Sequence, residues 1–451
     1  MLIGWVPFTI FLFSTLKPHQ AVLVSVIGGW LLLPVFSYNF QGIPTFDKHS
    51  AIALGLVLGG WLSGQRQKAN FQWKIYDLPM VLWCFSAIPT SLVNQLGLYD
   101  GISGTFTKIM VWGIPYLAGR IYFTNHEALH DLCRGIVIGG LIYLPLCLYE
   151  IRMSPQLSNT IYGFFPHSFH QHARYGGYRP IVFMNHGLMV ALWMAMATTV
   201  AFWLWRSRIV EQIKGIPMGF IVMALAITTL LCKTQNGILL MFLGCSLYYV
   251  YRYTKTSLPF TLLVLGIPAY LVLRITGVIE MDNVASVMAH LVDERRIPSL
   301  LARLTQEDNF IRHTLNSPLF GWGTHQRNWP IDPETGRRVV RAIDPLWLIN
   351  FSINGFFGLL AFLGAMMLGP WKVLGAMTNP TEKAADSMVI PLALSSVVIM
   401  FMIDCIFNGM INPVYIVSTG ALIGWFLTQE NGKTKVLKVR NFGANTRRIN
   451  Q

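Results

Sequence analysis

Apolar residues run in long blocks along this chain, broken by short clusters of charge, glycine, proline and asparagine. Blocks near 1–16, 21–36, 50–62, 77–93, 109–122, 129–149, 180–205, 217–232, 236–251, 258–275, 345–371, 389–407 and 413–427 each predict a helix. Crossing a bilayer takes roughly 20 mostly apolar residues, so the pattern predicts an all-α, polytopic transmembrane helix bundle of about 12–13 spans. The blocks at 1–16, 21–36 and 50–62 are the shortest, and one of them can be a half-span or an interfacial helix. The first block has no positive charge ahead of it, which predicts a retained span and not a cleaved signal peptide.

Composition strengthens this reading. Of 451 residues, 53% are hydrophobic and 12% charged, with a mean hydropathy of +0.49, too apolar for a surface that faces water. The net charge of +14 sits in short loops and a tail, as topology signals do, so no nucleic-acid partner is expected and the lipid bilayer is the main solvent. Cysteines 84, 133, 147, 232, 245 and 405 fall in or beside apolar blocks without a CxxC pair, which predicts packing roles and neither a disulfide framework nor a zinc site.

Lysine and arginine set the orientation. Lys433, Lys435, Lys438, Arg440, Arg447 and Arg448 against Glu430 alone predict a cytoplasmic tail at 428–451. Alternation back from it predicts transmembrane helices over 1–275 that include an outer loop at 150–179, a large outer segment at 276–344, and C-terminal transmembrane helices over 345–427. In the outer segment, Val284, Val287, Met288, Leu291 and Val292 keep helical spacing, and Leu301, Leu304, Ile311 and Leu315 fit a second amphipathic helix. Asp344-Pro345 predicts a helix start with the aspartate as N-cap.

All eight basic residues of that segment are arginines, and its nine acids offer them partners such as Arg303 with Glu307 and Asp308 with Arg312. A guanidinium binds phosphate or carboxylate oxygens bidentately, so an arginine-only segment beside a membrane suggests an anionic, phosphorylated lipid-linked ligand. Arg179, followed by Asn185 and His186, enters a span, and Lys233 lies between two spans at the same face. Each is a candidate for anion binding or for snorkelling to the headgroups. His167, His170 and His172 are spaced irregularly, and no cysteine or acid of their segment completes a ligand set, so no metal is expected. Asp344 can cap a helix or act as a general base. Asp404 requires a partner inside its span.

Three patches in order, RPIVFMNHGLMVALWMA, LLCKTQNGILLMFLG, and RLTQEDNFIRHTLNSPLFGWG followed by DPLWLINFSINGFFGLLAFL, resemble the O-antigen ligase and polymerase (Wzy-like) superfamily. The resemblance spans residues 174 to 365. Two departures stand out. Gln235, Asn236 and Gly237 replace the family's Ser-Arg-Gly, and Asp344 stands where ligases carry histidine, closer to the polymerase-like branch. The resemblance implies a GT-C-like glycosyltransferase of the bacterial inner membrane, without cofactor or metal, joining glycan repeats carried on undecaprenyl diphosphate at the periplasmic face. It implies Asp344, Arg179 and Arg303 as catalytic residues, with Lys233, Arg312, Asn185, His186 and His313 at the substrate. Other polysaccharide-assembly proteins, a flippase or a chain-length regulator, would be its partners. A ligase with a different acceptor and a lipid-linked oligosaccharide transporter are the alternatives.

Overall fold

Helices carry almost all of the regular structure in the computed structural model, which describes residues 1–39, 44–64, 71–174, 176–279, 297–332, 335–338, 343–377 and 382–449, with side chains described except at 297–303, 382–386 and 432–449. In chain order the first group comprises α1 (Leu2–Thr15), α2 (Pro18–Leu32), α3 (Lys48–Leu62), α4 (Ile75–Val93), α5 (Leu98–Lys108), α6 (Ile114–Tyr122), α7 (His126–Met153) and the short α8 (Leu157–Tyr162). A π turn, Ile109–Gly113, joins α5 to α6. After it come α9 (Gly187–Arg206), α10 (Met218–Leu231), α11 (Gln235–Thr254), α12 (Leu258–Ile275), α13 (Ile297–Thr314), α14 (Leu346–Ala376), α15 (Glu382–Phe407) and α16 (Pro413–Ile449). Two ribbons of two-residue strands, β1 (Ala173–Arg174) with β2 (Gly177–Tyr178) and β3 (Gln212–Ile213) with β4 (Ile216–Pro217), are antiparallel.

Six helices among the described residues are long and apolar enough to cross a membrane: α4, α7, α9, α12, α14 and the Ser387–Phe407 part of α15. Leu2–Thr15, Pro18–Leu32 and Met218–Leu231 are shorter apolar helices. The chain is therefore an all-α bundle of membrane character. Its centre is α9 and α15, whose apolar windows are each 89% buried by protein, because a helix apolar all round must be enclosed. α9 packs against α7, α10, α11 and α15. Elsewhere small residues let backbones meet: a Cβ on Gly119 of α6 would strike the Val417 carbonyl of α16, and one on Gly420 would strike the Tyr116 carbonyl.

Helix direction sorts the connections between two ends. At one end Asn94 meets Gly321, Lys233 meets Arg174, Asn236 meets Asp404 and Arg274 meets Asp308.

Three local expectations change. The span placed near 180–205 starts at Gly187, because Pro180–His186 forms an irregular segment tucked into the bundle. Ile181, Val182, Phe183 and Met184 are buried, and Val182 adopts φ +55°, a rare conformation for a β-branched residue. Asp344 is not the N-cap of α14; Pro345 is, and the Leu346 N–H donates to the Asn408 carbonyl at 3.1 Å in place of a side-chain cap. Finally, α14 breaks at Gly355 (φ +62°, ψ −161°), where the Pro318–Gly323 strip docks. Phe356 and Phe357 N–H donate to the Pro318 and Leu319 carbonyls at 2.8 and 3.0 Å, while Trp322 and Gly323 N–H donate to the Ser352 and Ile353 carbonyls, each at 3.0 Å. Four backbone groups beside the break thus meet protein, which is how irregular backbone survives beside lipid.

The expected helix over Val284–Val292 lies outside the described residues, as does Arg341. The second amphipathic helix is α13, and it buries Phe310 and Ile311.

Candidate functional site

The Pro180–His186 segment is built around one acid. Glu150, near the end of α7 and 1% exposed, accepts N–H from Ile181 and Val182 at 2.7 Å each and from Leu157 at 2.9 Å. A buried carboxylate that collects three backbone donors replaces its hydration and fixes the loop. The Phe183 N–H donates to the Tyr143 hydroxyl at 3.0 Å, and Lys48 reaches the Phe183 carbonyl at 3.4 Å from over the Trp30 ring. None of Glu150, Tyr143 or Lys48 is singled out by the sequence patterns. Glu150 had a signal, being an acid in an apolar helix of 28 residues.

This frame presents Arg179, which is 3% exposed. Its N–H donates to the His172 carbonyl at 2.8 Å, and its guanidinium donates to the Lys233 carbonyl at 3.4 Å. The side-chain stem lies across Gly187, the first residue of α9, where any Cβ would collide with it. Lys233, held at φ +53°, donates its ammonium to the Arg174 carbonyl at 3.1 Å. Its Nζ occupies the space that a Cβ on Gly177 would need. Arg179 and Lys233 are therefore neighbours, while Asn185 of the same segment is exposed.

Around Arg179 the structure collects three imidazoles. Nitrogens of His167, His172 and His186 lie within 4.8 Å of one another, and His170 is exposed outside the group. The expectation that these histidines form no set considered only their own segment; the third ring comes from His186, the N-cap of α9. Burial first, and then the charges of His167, Arg179 and Arg174, hold His172 down to about 4; the same forces, with His172 added, hold His186 down to about 3. Both rings are neutral at pH 7.

A strip of polar contacts continues from Lys233 across the same end. Asn236 donates to Asp404 Oδ1, which also accepts from the Asn408 amide at 2.8 Å. The carboxylate left without a sequence partner thus has two. The Asn408 carbonyl takes the Leu346 N–H, two residues beyond the exposed Asp344.

The described part of the segment before α14 is organised differently. Arg274, 2% exposed at the end of α12, bonds Asp308 at 2.6 Å and faces Glu307 at 3.6 Å, tying α13 to the bundle. The sequence offers those acids to Arg303 and Arg312 at helical spacing, and the arginine of a different helix reaches both of them as well. Arg312 is exposed, and the Arg303 side chain lies outside the described residues. His313 stacks on Trp322 at 4.7 Å and bonds the Arg327 carbonyl at 3.1 Å, so its ring secures the glycine-rich turn.

A cleft of about 410 Å³ opens at the tail end beside Gln72, Lys74, Arg120 and Thr428, and none of the site residues described above lines it. No protein-family model matches the chain, and no curated protein matches it.

Proposed function

We propose that the chain is a GT-C-like glycosyltransferase that polymerises glycan repeats carried on undecaprenyl diphosphate, working at the periplasmic face of the inner membrane. The observation that carries this reading is the placement of Arg179: a buried guanidinium at the end of the bundle, beside Lys233 and neutral imidazoles, on a frame fixed by Glu150. A diphosphate leaving group gains negative charge in the transition state, and a preorganised donor in a partly dry site stabilises it better than water does. Asp344, exposed at the start of α14 and joined to this strip through Asn408 and Asp404, takes the proton of the acceptor hydroxyl. Arg303 is assigned to the second phosphate on the resemblance.

Lipid-linked glycan from cells lacking the protein provides the test. Single repeats should accumulate, and the wild-type gene should restore the ladder. Long, unattached chains would mark a ligase instead. Sidedness is checked separately with an impermeant thiol reagent on single-cysteine variants at the exposed Asn316 and Glu211. Asn316→Cys should label in intact spheroplasts and Glu211→Cys only after lysis; the reverse would place the site on the wrong side for this chemistry.

A further inference from the structure

His172 is fully buried, and neither of its ring nitrogens has a hydrogen-bond partner among the described residues. A buried, unsatisfied polar atom costs about 1–3 kcal/mol, so an arrangement with two of them in one ring calls for a ligand. The neighbouring rings face it, with centroids 5.6 Å away for His167 and 5.3 Å for His186. Two ligand classes suit three imidazoles, a transition metal or an oxyanion, and hydrogen bonds decide between them.

His186 Nδ1 accepts the Leu188 N–H at 3.0 Å, and His167 Nδ1 accepts the Ser168 N–H at 2.8 Å. In a neutral imidazole one nitrogen accepts and the other carries the proton. Acceptance at Nδ1 therefore leaves Nε2–H on both rings, a donor and not a lone pair for a metal. The surrounding charge has the same preference, since Arg174 and Arg179 both repel positive charge on this cluster. The N-terminus of α9, capped by His186, adds its positive dipole end.

We propose that His167, His172 and His186 form, with Arg179, a receptor for a phosphoryl oxyanion in which the rings act as neutral N–H donors and not as metal ligands. This deepens the reading above and rests on Arg179 as a diphosphate residue. The arginine supplies charge and a planar fork, while the three rings supply directional donors to the remaining oxygens. The rings form a triangle, and His172, the fully buried one, whose carbonyl takes the Arg179 N–H, is the positioning centre of the cradle.

The test is calorimetric titration of the full-length protein in phosphatidylcholine nanodiscs, with inorganic pyrophosphate and, separately, with zinc chloride. Wild type should bind pyrophosphate. His172→Phe, which keeps a buried ring, and His186→Asn, which keeps a helix-capping acceptor, should each weaken it at least ten-fold without a fall in melting temperature. Nanodiscs of phosphatidylglycerol distinguish the source of the oxyanion. Undiminished pyrophosphate binding there assigns the site to a diphosphate, whereas competition assigns it to a lipid headgroup; both outcomes keep the oxyanion. Absent pyrophosphate binding, unchanged affinity in both histidine variants, or tight zinc binding lost in those variants would overturn the proposal. Pyrophosphate binding lost in the histidine variants, together with a normal glycan ladder from Arg179→Lys cells, would instead defeat the polymerase reading and leave the receptor standing.

Discussion

Two arginines enter the same end of the bundle and meet opposite surroundings. Arg274 is bracketed by Glu307 and Asp308, so its charge is spent on holding α13. Arg179 reaches a backbone carbonyl and lies among uncharged imidazoles, so its field extends into the site. Equal burial does not imply equal duty. The carboxylates of the segment rich in arginine make it largely self-neutralising, while the histidine segment, with fewer charges, keeps a net positive potential.

The contrast can be broken first at Arg274. Removing one partner of a buried ion pair strands the other charges, at about 3 kcal/mol here, the low end of the usual range, because both carboxylates keep some water. Arg274→Met should therefore release α13 and speed protease nicking of the 276–345 segment. Nicking at the wild-type rate would show that the pair holds nothing. Arg179→Lys should behave in reverse, with membrane protein level unchanged and glycan polymerisation down on the order of 10²-fold, since lysine keeps the charge and loses the fork. Arg303→Lys should match it if its assignment is right, and a normal ladder from both would remove the arginines from the site.

The smallest expected effect is the pH response of the imidazole cluster. His172 and His186 take up protons near pH 6.5 when unfolded but only at about 4 and 3 when folded, facing His167, Arg174 and Arg179. The unfolded chain binds more protons in between, so stability is full above pH 6.5 and falls as pH drops toward 4. Melting temperature should fall between pH 7.5 and 5, less so in His172→Phe, and less with pyrophosphate bound. An equal fall in His172→Phe would place the response elsewhere.

Most of the bundle was legible in the blocks of apolar residues, since lipid and a buried core demand the same composition. What hydropathy could not convey was whether an apolar run is helical. RPIVFM is as apolar as a span, yet Glu150, 31 residues before Ile181, draws its N–H groups out of helical pairing. Arg179 and Lys233 were legible because cations at the mouth of a bundle are rare and costly. The imidazole cluster was not, because His186 belongs to another element and only the fold brings it to His172. Asp404 announced a need for a partner, and only packing could supply Asn236 and Asn408.

The broken helix bears on how the protein is made. The part of α14 before Gly355 is too short to cross a bilayer alone, since a span needs roughly 20 residues, whereas the part after it is long enough. Insertion of that longer part precedes assembly, and the Pro318–Gly323 strip, synthesised earlier, must wait to receive its partner backbone. A Cβ at Gly321 would stand 2.6 Å from the Ile353 carbonyl, at a φ of +65° that side chains avoid. Gly321→Ala should thus yield a chain of full length and normal insertion whose 318–323 strip never docks on α14, a defect of maturation and not of targeting.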